Sequence, residues 1–243
     1  MMLFKPLQFC HCVINTIFII HEYNYQMEYQ ANTKTAMLSN YRNVTNKKNK
    51  KNNENDTIKG AGTLIIEYDE LIQDYNIILF GDKQKRFQEF GGKFNKNEKH
   101  KNTLTNIASV AARETQEESS NTIVMKKRWL IQQPFVICST YLCFIILIKK
   151  GDIDWNLFYQ NEKKQKNYEL FNFAFFSINS NFKINNTLAK NDVMIDTQNN
   201  HQQIRDRTRC LLLKFKQYDI VDNLDFSKVK ITKNNKTTSY EFV

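Results

Sequence analysis

Glycine and proline are scarce in this 243-residue chain, with six of the first and two of the second. That excludes collagen-like and proline-rich architectures. Cysteine is thin as well: Cys10, Cys12, Cys138, Cys143 and Cys210, an odd number with no Cys-x-x-Cys pair. A secreted scaffold held by disulfides is not expected from that pattern, and a reducing, cytosol-like compartment fits it better. Cys10, His11 and Cys12 are adjacent, but neighbouring residues do not readily share one tetrahedral metal ion, and no second half-site accompanies them. Long apolar runs are missing too. Residues 7–20 are fairly apolar and follow Lys5, but His11 and Asn15 interrupt them and no small-residue cleavage site follows, so a signal or anchor there is the lesser reading. Residues 135–148 are rich in Ile, Phe and Tyr and suit a buried strand. Stable membrane association is not expected, and no internal repeat is evident.

What is present is enough for a packed core. Hydrophobic residues make up 41% and aromatics 13% of the chain, which excludes wholesale disorder. The length fits one domain with ragged ends, or two small ones. Abundant Asn, Lys, Ile, Tyr and Phe read as the mutational bias of an AT-rich genome. The net charge of +10 favours polyanionic partners such as nucleotides, RNA or phosphate-rich metabolites. Part of it lies in residues 42–59, whose Lys/Asn run reads first as a solvated linker and second as a nucleic-acid arm.

Along the chain, residues 1–57 show no sustained period and are expected to be a poorly ordered extension. Residues 58–220 form the expected domain, and 221–243 a flexible tail. Residues 63–68 and 76–80 read as strands, and Phe87-Gln-Glu-Phe90 runs into Gly91-Gly92-Lys93-Phe94. A helix is expected over 103–120, with Thr103 or Thr105 as its N-cap. Residues 124–129, 135–148 and 171–178 read as strands, and 202–217 as a closing amphipathic helix. Strands on both sides of a central helix, followed by a late helix, indicate an α/β or α+β fold.

The chemistry is concentrated in Gly91-Gly92-Lys93, Glu98 and Arg113-Glu114-Thr115-Gln116-Glu117-Glu118. On a helix, Glu114, Glu117 and Glu118 are spaced i, i+3, i+4 and share a face, while Ala108, Ala112, Thr115 and Ser119 line a small-residue face that can press on a sheet. Like charges at that spacing destabilise a helix by about 0.2–0.5 kcal/mol per pair, so something should compensate them. A divalent cation does so directly, and carboxylate oxygens suit Mg2+ or Mn2+. Arg113 can neutralise one Glu. The plainer reading is a solvated acidic face. Two glycines after a strand favour the ion, because they let backbone approach an ion or a phosphate closely.

These residues resemble the Nudix box, G-x5-E-x7-R-E-U-x-E-E-x-G-U, where U is a bulky aliphatic residue. Gly92 and Glu98 fit its first half, and Arg113, Glu114, Glu117 and Glu118 its second. The resemblance extends from near Lys59 to near Gln217, and the form of the helix is similar to that in Nudix proteins of large DNA viruses and protists. Fourteen residues separate Glu98 from Arg113 where the pattern has seven. Either an insertion lengthens the loop or Glu98 is not the equivalent residue. Thr115 and Asn121 stand where aliphatic residues are usual, and Ser120 where glycine is usual.

The resemblance implies an α/β/α sandwich with a mixed sheet, in which the 103–120 helix is catalytic. It also implies Mg2+ or Mn2+ held by Glu114, Glu117 and Glu118 with a backbone carbonyl of Gly91 or Gly92, and Arg113 orienting Glu114. The implied reaction is hydrolysis of a diphosphate linkage in a nucleoside diphosphate joined to another group, in the cytoplasm (of a host cell if the protein is viral). An mRNA cap is one such substrate. Lys93 is placed to contact substrate phosphate, ahead of Lys83, Lys85 and Arg86. Glu162 or Glu169 are candidates for a general base outside the box. Phe87, Phe90, Tyr141, Phe144 and Trp155 are candidates to stack on a base, against a plainer role as core aromatics. The alternative to an enzyme is a Nudix-like domain that binds nucleotides or RNA without turnover.

Overall fold

The computed structural model describes residues 58–82, 84–95, 103–162, 172–179, 181, 193–217, 225–233 and 238–242. Residues 1–44 lie wholly outside the described residues, and every element below belongs to residues 45–243. The expected N-terminal extension, Lys83, Glu98 and Glu169 also lie outside the described residues.

The elements run β1 (Gly60–Asp69), β2 (Asp74–Gly81), β3 (Phe87–Gln88), β4 (Phe90–Lys93), α1 (Leu104–Glu118), β5 (Ile123–Met125), α2 (Lys127–Leu130), β6 (Phe135–Cys138), β7 (Tyr141–Lys149), α3 (Trp155–Glu162), β8 (Asn172–Ser177), β9 (Val193–Ile195), β10 (His201–Gln203), α4 (Asp206–Gln217), β11 (Val229–Lys233) and β12 (Thr238–Phe242). The architecture is mixed α+β, built on a sheet of order β3-β2-β1-β7-β6 with β4 added on β1 and β8 on β2.

β1 organises the sheet. One edge pairs in parallel with β7 over nine of its ten residues, Gly60 to Tyr68 against Tyr141 to Lys149. Its C-terminal half pairs antiparallel with β2, and its N-terminal half, Gly60 to Thr63, pairs antiparallel with Lys93 to Phe90 of β4. Nine of its ten residues are buried, because the sheet is covered on both faces. That is why β1 reads as a nearly continuous apolar run instead of alternating.

Successive strand residues point to opposite faces. Thr63 faces α1, where its hydroxyl meets that of Thr115 at 2.8 Å. Gly62 faces the other way, toward Tyr141, on whose ring Arg207 of α4 stacks. The sheet is therefore sandwiched between α1 and α4. Phe80, Phe90, Phe158, Phe173 and Trp155 fill the α1 side, with Phe80 and Phe90 ring centroids 3.7 Å apart. Phe87 and Phe176 meet edge-on over the α4 side. The aromatics Phe87, Phe90, Tyr141, Phe144 and Trp155 are all buried, as core residues are.

Several segments differ from the sequence reading. Residues 135–148 are two antiparallel strands, not one, turned at Ser139 in the left-handed region (φ 53°). The turn falls at Ser139 and Thr140, polar residues that interrupt an otherwise largely apolar stretch. Residues 127–130 form the helical turn α2, where strand was expected. The stretch expected to be a loose tail contributes β11 and β12, which join β5, and Tyr240 and Phe242 are 4% and 0% exposed. Phe242 packs on Trp129 at 5.2 Å between centroids, and Tyr240 accepts the Asp154 N–H at 2.9 Å. Cysteines expected to be reduced include a bonded pair, Cys138–Cys210, which joins the end of β6 to α4 across 72 residues of sequence. Folding brings their Cα atoms to 6.3 Å, a proximity that no local spacing reveals. Cys143 is a buried free thiol. Among the described residues no helix is long and apolar enough to cross a membrane.

Candidate active site

α1 begins where Thr103 caps it, the side-chain oxygen accepting the Asn106 N–H at 3.3 Å. It ends at Glu118, after which Ser120 and Asn121 both take left-handed backbone (φ 53° and 60°). The buried side of the helix is Ile107, Ala108, Val110, Ala111 and Thr115. Small side chains there let the helix axis approach β1 and β4 closely. The last two turns consequently lie over the glycine pair.

Gly92 faces α1, and the Glu114 carboxylate occupies the space above it. A Cβ at position 92 would fall on that carboxylate, 2.5 Å from Oε1 and closer still to the other atoms. Gly91 donates its N–H to Glu118 Oε2 at 2.6 Å. Glycine is required at 91 for a second reason: a Cβ would collide with the Tyr141 hydroxyl from the opposite face and lie 2.8 Å from the Ala61 carbonyl. The two glycines thus sit in a slot between a carboxylate pair above and a phenol below.

Arg113 divides its guanidinium. Nη2 meets Glu114 Oε1 at 2.8 Å and Nη1 meets Glu117 Oε2 at 2.9 Å. Nη2 also donates to the Lys93 carbonyl at 3.2 Å. The Glu117 side chain is 59% exposed, against 14% for Glu114. Helical rotation explains the split. At about 100° per residue, Glu117 and Glu118 stand roughly 60° and 40° to opposite sides of Glu114. The structure therefore brings Glu114 and Glu118 to the glycines and turns Glu117 outward onto Arg113. Among the described residues no three His, Cys, Asp or Glu side chains are gathered into an ion cage. Of the three glutamates expected to act jointly, the structure gathers two at the glycines.

Burial pushes the Glu118 carboxyl well above the usual range. The Gly91 N–H works against this, while Glu114 and Glu89 add repulsion and Arg207 offsets it. The donors assembled are oxygens only, with more negative than positive charge around Glu118. That chemistry fits a hard divalent cation such as Mg2+ or Mn2+.

Lys93 follows the glycines with an exposed side chain. Arg86 is engaged with Asp82 at 3.1 Å in the β2–β3 turn, and Lys85 is exposed in the same turn, the solvated hairpin that the sequence favours. Glu162 closes α3.

Four residues of the site were not singled out from the sequence for the part they play. Glu89, fully buried, lies on the α4 side directly before β4. Arg207 Nε meets its Oε1 at 2.7 Å, and the Thr208 hydroxyl bonds its Oε2. Arg207 Nη2 also donates to the Gly91 carbonyl at 3.1 Å, and its guanidinium lies 4.2 Å from the Tyr141 ring centroid. Arg207 alternates with Arg205 and Arg209, a pattern that reads as a solvated helical start. The available signal was Glu89 itself, a carboxylate in an otherwise strand-like run leading into the glycines.

No protein-family model matches the sequence, and no curated protein matches it. Among solved structures, a C. elegans Ap4A hydrolase binary complex is 15% identical with a TM-score of 0.35, covering 67% of this chain and 97% of that one. A C. elegans Ap4A hydrolase is likewise 15% identical with a TM-score of 0.33, covering 67% of this chain and 98% of the other. At these values the likeness carries nothing about activity.

Proposed function

We propose that the chain is a Mg2+-dependent Nudix-type hydrolase that cleaves the diphosphate linkage of a nucleoside diphosphate joined to another group. The observation that supports this best is the convergence on one glycine pair: Glu118 on the Gly91 N–H and Glu114 directly over Gly92. Two half-buried carboxylates beside a backbone slot are unfavourable on their own and become favourable opposite a cation and a phosphate. Glu114 and Glu118 would hold the ion; Glu117, turned to solvent on Arg113, and the Gly91 carbonyl, which accepts from Arg207, would have to turn to join them. The bound ion supplies charge neutralisation on the phosphoryl oxygens and a lowered pKa for water.

The chain's own groups do the rest. Arg113 fixes Glu114 through a charge-assisted hydrogen bond. The Gly91 N–H orients Glu118. Lys93, exposed just beyond the slot, presents its ammonium to substrate phosphate. Water attacks one phosphorus, and two phosphate-ended products leave.

A panel of nucleoside triphosphates, ADP-ribose, dinucleoside polyphosphates, diphosphoinositol phosphates and capped RNA, each with and without Mg2+ or Mn2+, tests this reading. Turnover is expected with the metal and not without it. Glu118→Gln should fold and lose at least about 100-fold in rate. Absence of turnover across the panel with either metal overturns the assignment. Steep salt dependence on capped RNA alone would mark RNA as the substrate, through the basic stretch at 42–59.

A second reading, a catalytically weak or inactive Nudix-like binding protein for nucleotides or RNA, draws on Glu117, which is turned to solvent on Arg113. Tight nucleotide binding without metal-dependent turnover selects it.

A further inference from the structure

Gly91 is gripped from both sides of the sheet. On the α1 side its N–H donates to Glu118 at 2.6 Å. On the α4 side its carbonyl accepts from Arg207 Nη2 at 3.1 Å. These groups belong to two successive peptide planes, so the two bonds together restrain rotation on either side of the glycine Cα. Glycine has the widest conformational freedom of any residue, so without such restraints this peptide has the most to lose in order.

Arg207 is itself held fast. Its Nε meets the fully buried Glu89 at 2.7 Å, its plane lies over Tyr141, and Glu89 is also bonded by the neighbouring Thr208 hydroxyl. Only a planar fork serves Glu89 and the Gly91 carbonyl at once; a lysine ammonium on a flexible stem does not. Arg207 is also the positive group that offsets repulsion between Glu89 and Glu118. Arg113 partners Glu114 and Glu117 above the sheet, and Arg207 has the corresponding part below it.

We infer that Arg207, buttressed by Glu89 and Thr208, is a positioning residue of the glycine slot: from the face opposite α1 it fixes the Gly91 peptide so that the N–H stays on Glu118. The purpose of the slot rests on the function proposed above, whereas the pinning of Gly91 does not. The closing helix α4 is then half of the site's framework and not only a cover for the sheet.

The test compares the full chain with Arg207→Lys. The readouts are amide hydrogen exchange at Gly91, Mn2+ binding by electron paramagnetic resonance and, where turnover is found, kcat and KM separately. Exchange at Gly91 is expected to rise about 10-fold while core amides at Ile65 and Ile146 stay protected. Mn2+ affinity should fall about 10–100-fold, the usual consequence of losing support behind a metal ligand. kcat should drop with substrate KM unchanged. A purely structural role would instead loosen the core amides together with Gly91. An acceleration below threefold at Gly91, or equal loosening everywhere, overturns the inference. If Arg207→Lys does not fold, the double variant Arg207→Gln/Glu89→Gln, which removes both buried charges together, is read by the same criteria. If the wild-type protein neither binds Mn2+ nor turns over any substrate, the proposed function fails and the Gly91 exchange ratio alone decides the role of Arg207.

Discussion

Thr115 sits at a helix position where the Nudix pattern has an aliphatic residue, and the structure shows what balances that departure. Its hydroxyl donates to the Ala111 carbonyl at 2.7 Å, so its single proton is committed. The proton of the 2.8 Å bond to Thr63 therefore comes from Thr63. Both residues are fully buried, and Thr115 accepts the Thr63 proton while giving its own to Ala111. Thr115→Val strands the buried Thr63 proton and should lower stability by about 1–2 kcal/mol, whereas Thr63→Val leaves Thr115 bonded to Ala111 and should cost less. The Thr63→Val/Thr115→Val double variant replaces both partners with groups of like shape and should recover most of that loss. Denaturant unfolding of the four proteins in the cycle measures the coupling, and strictly additive losses would show that the hydroxyls do not depend on each other.

Among the elements, α1 shows how much of the fold sequence patterning reveals and where it stops. Its start was legible because Thr103 offers a cap oxygen just before an apolar run, and its buried side because small residues recur at helical spacing. Its exit carries a cost: Ser120 has φ 53°, a backbone region that glycine occupies freely and serine does not. Ser120→Gly should accordingly raise stability by about 0.5–1 kcal/mol, read as a higher melting temperature. The glutamates were legible as a set, but not their division. Spacing places Glu114, Glu117 and Glu118 on one broad face, while the rotation that sends Glu118 to Gly91 and Glu117 to solvent follows from how the helix rolls onto the sheet. The β6–β7 hairpin was hidden because its strands are apolar throughout. β11 and β12 were hidden because three of five residues in β11 are charged or polar, and β5, with which β12 pairs, lies over a hundred residues earlier. Glu89 and Arg207 are likewise far apart in sequence, and nothing local marks either as the other's partner.

At the largest scale, the main sheet depends on covering both faces, and among the described residues only the α4 side is also fastened covalently. The Cys138–Cys210 bond closes a loop of 72 residues, which on chain-entropy grounds stabilises the folded state by about 3–5 kcal/mol. Unfolding with and without a dithiol reductant should show that difference, and a Cys138→Ser/Cys210→Ser variant should unfold alike under both conditions. Because Cys210 lies three residues beyond Arg207, the same bond holds the helix that restrains Gly91. The loop it closes contains β7, the central partner of β1, together with α3, β8, β9 and β10. A protease that nicked the backbone once between Cys138 and Arg207 would release nothing. Electrophoresis of the nicked protein would give a single band until a thiol was added, and then two pieces, one bearing the glutamate helix and the other its opposing arginine.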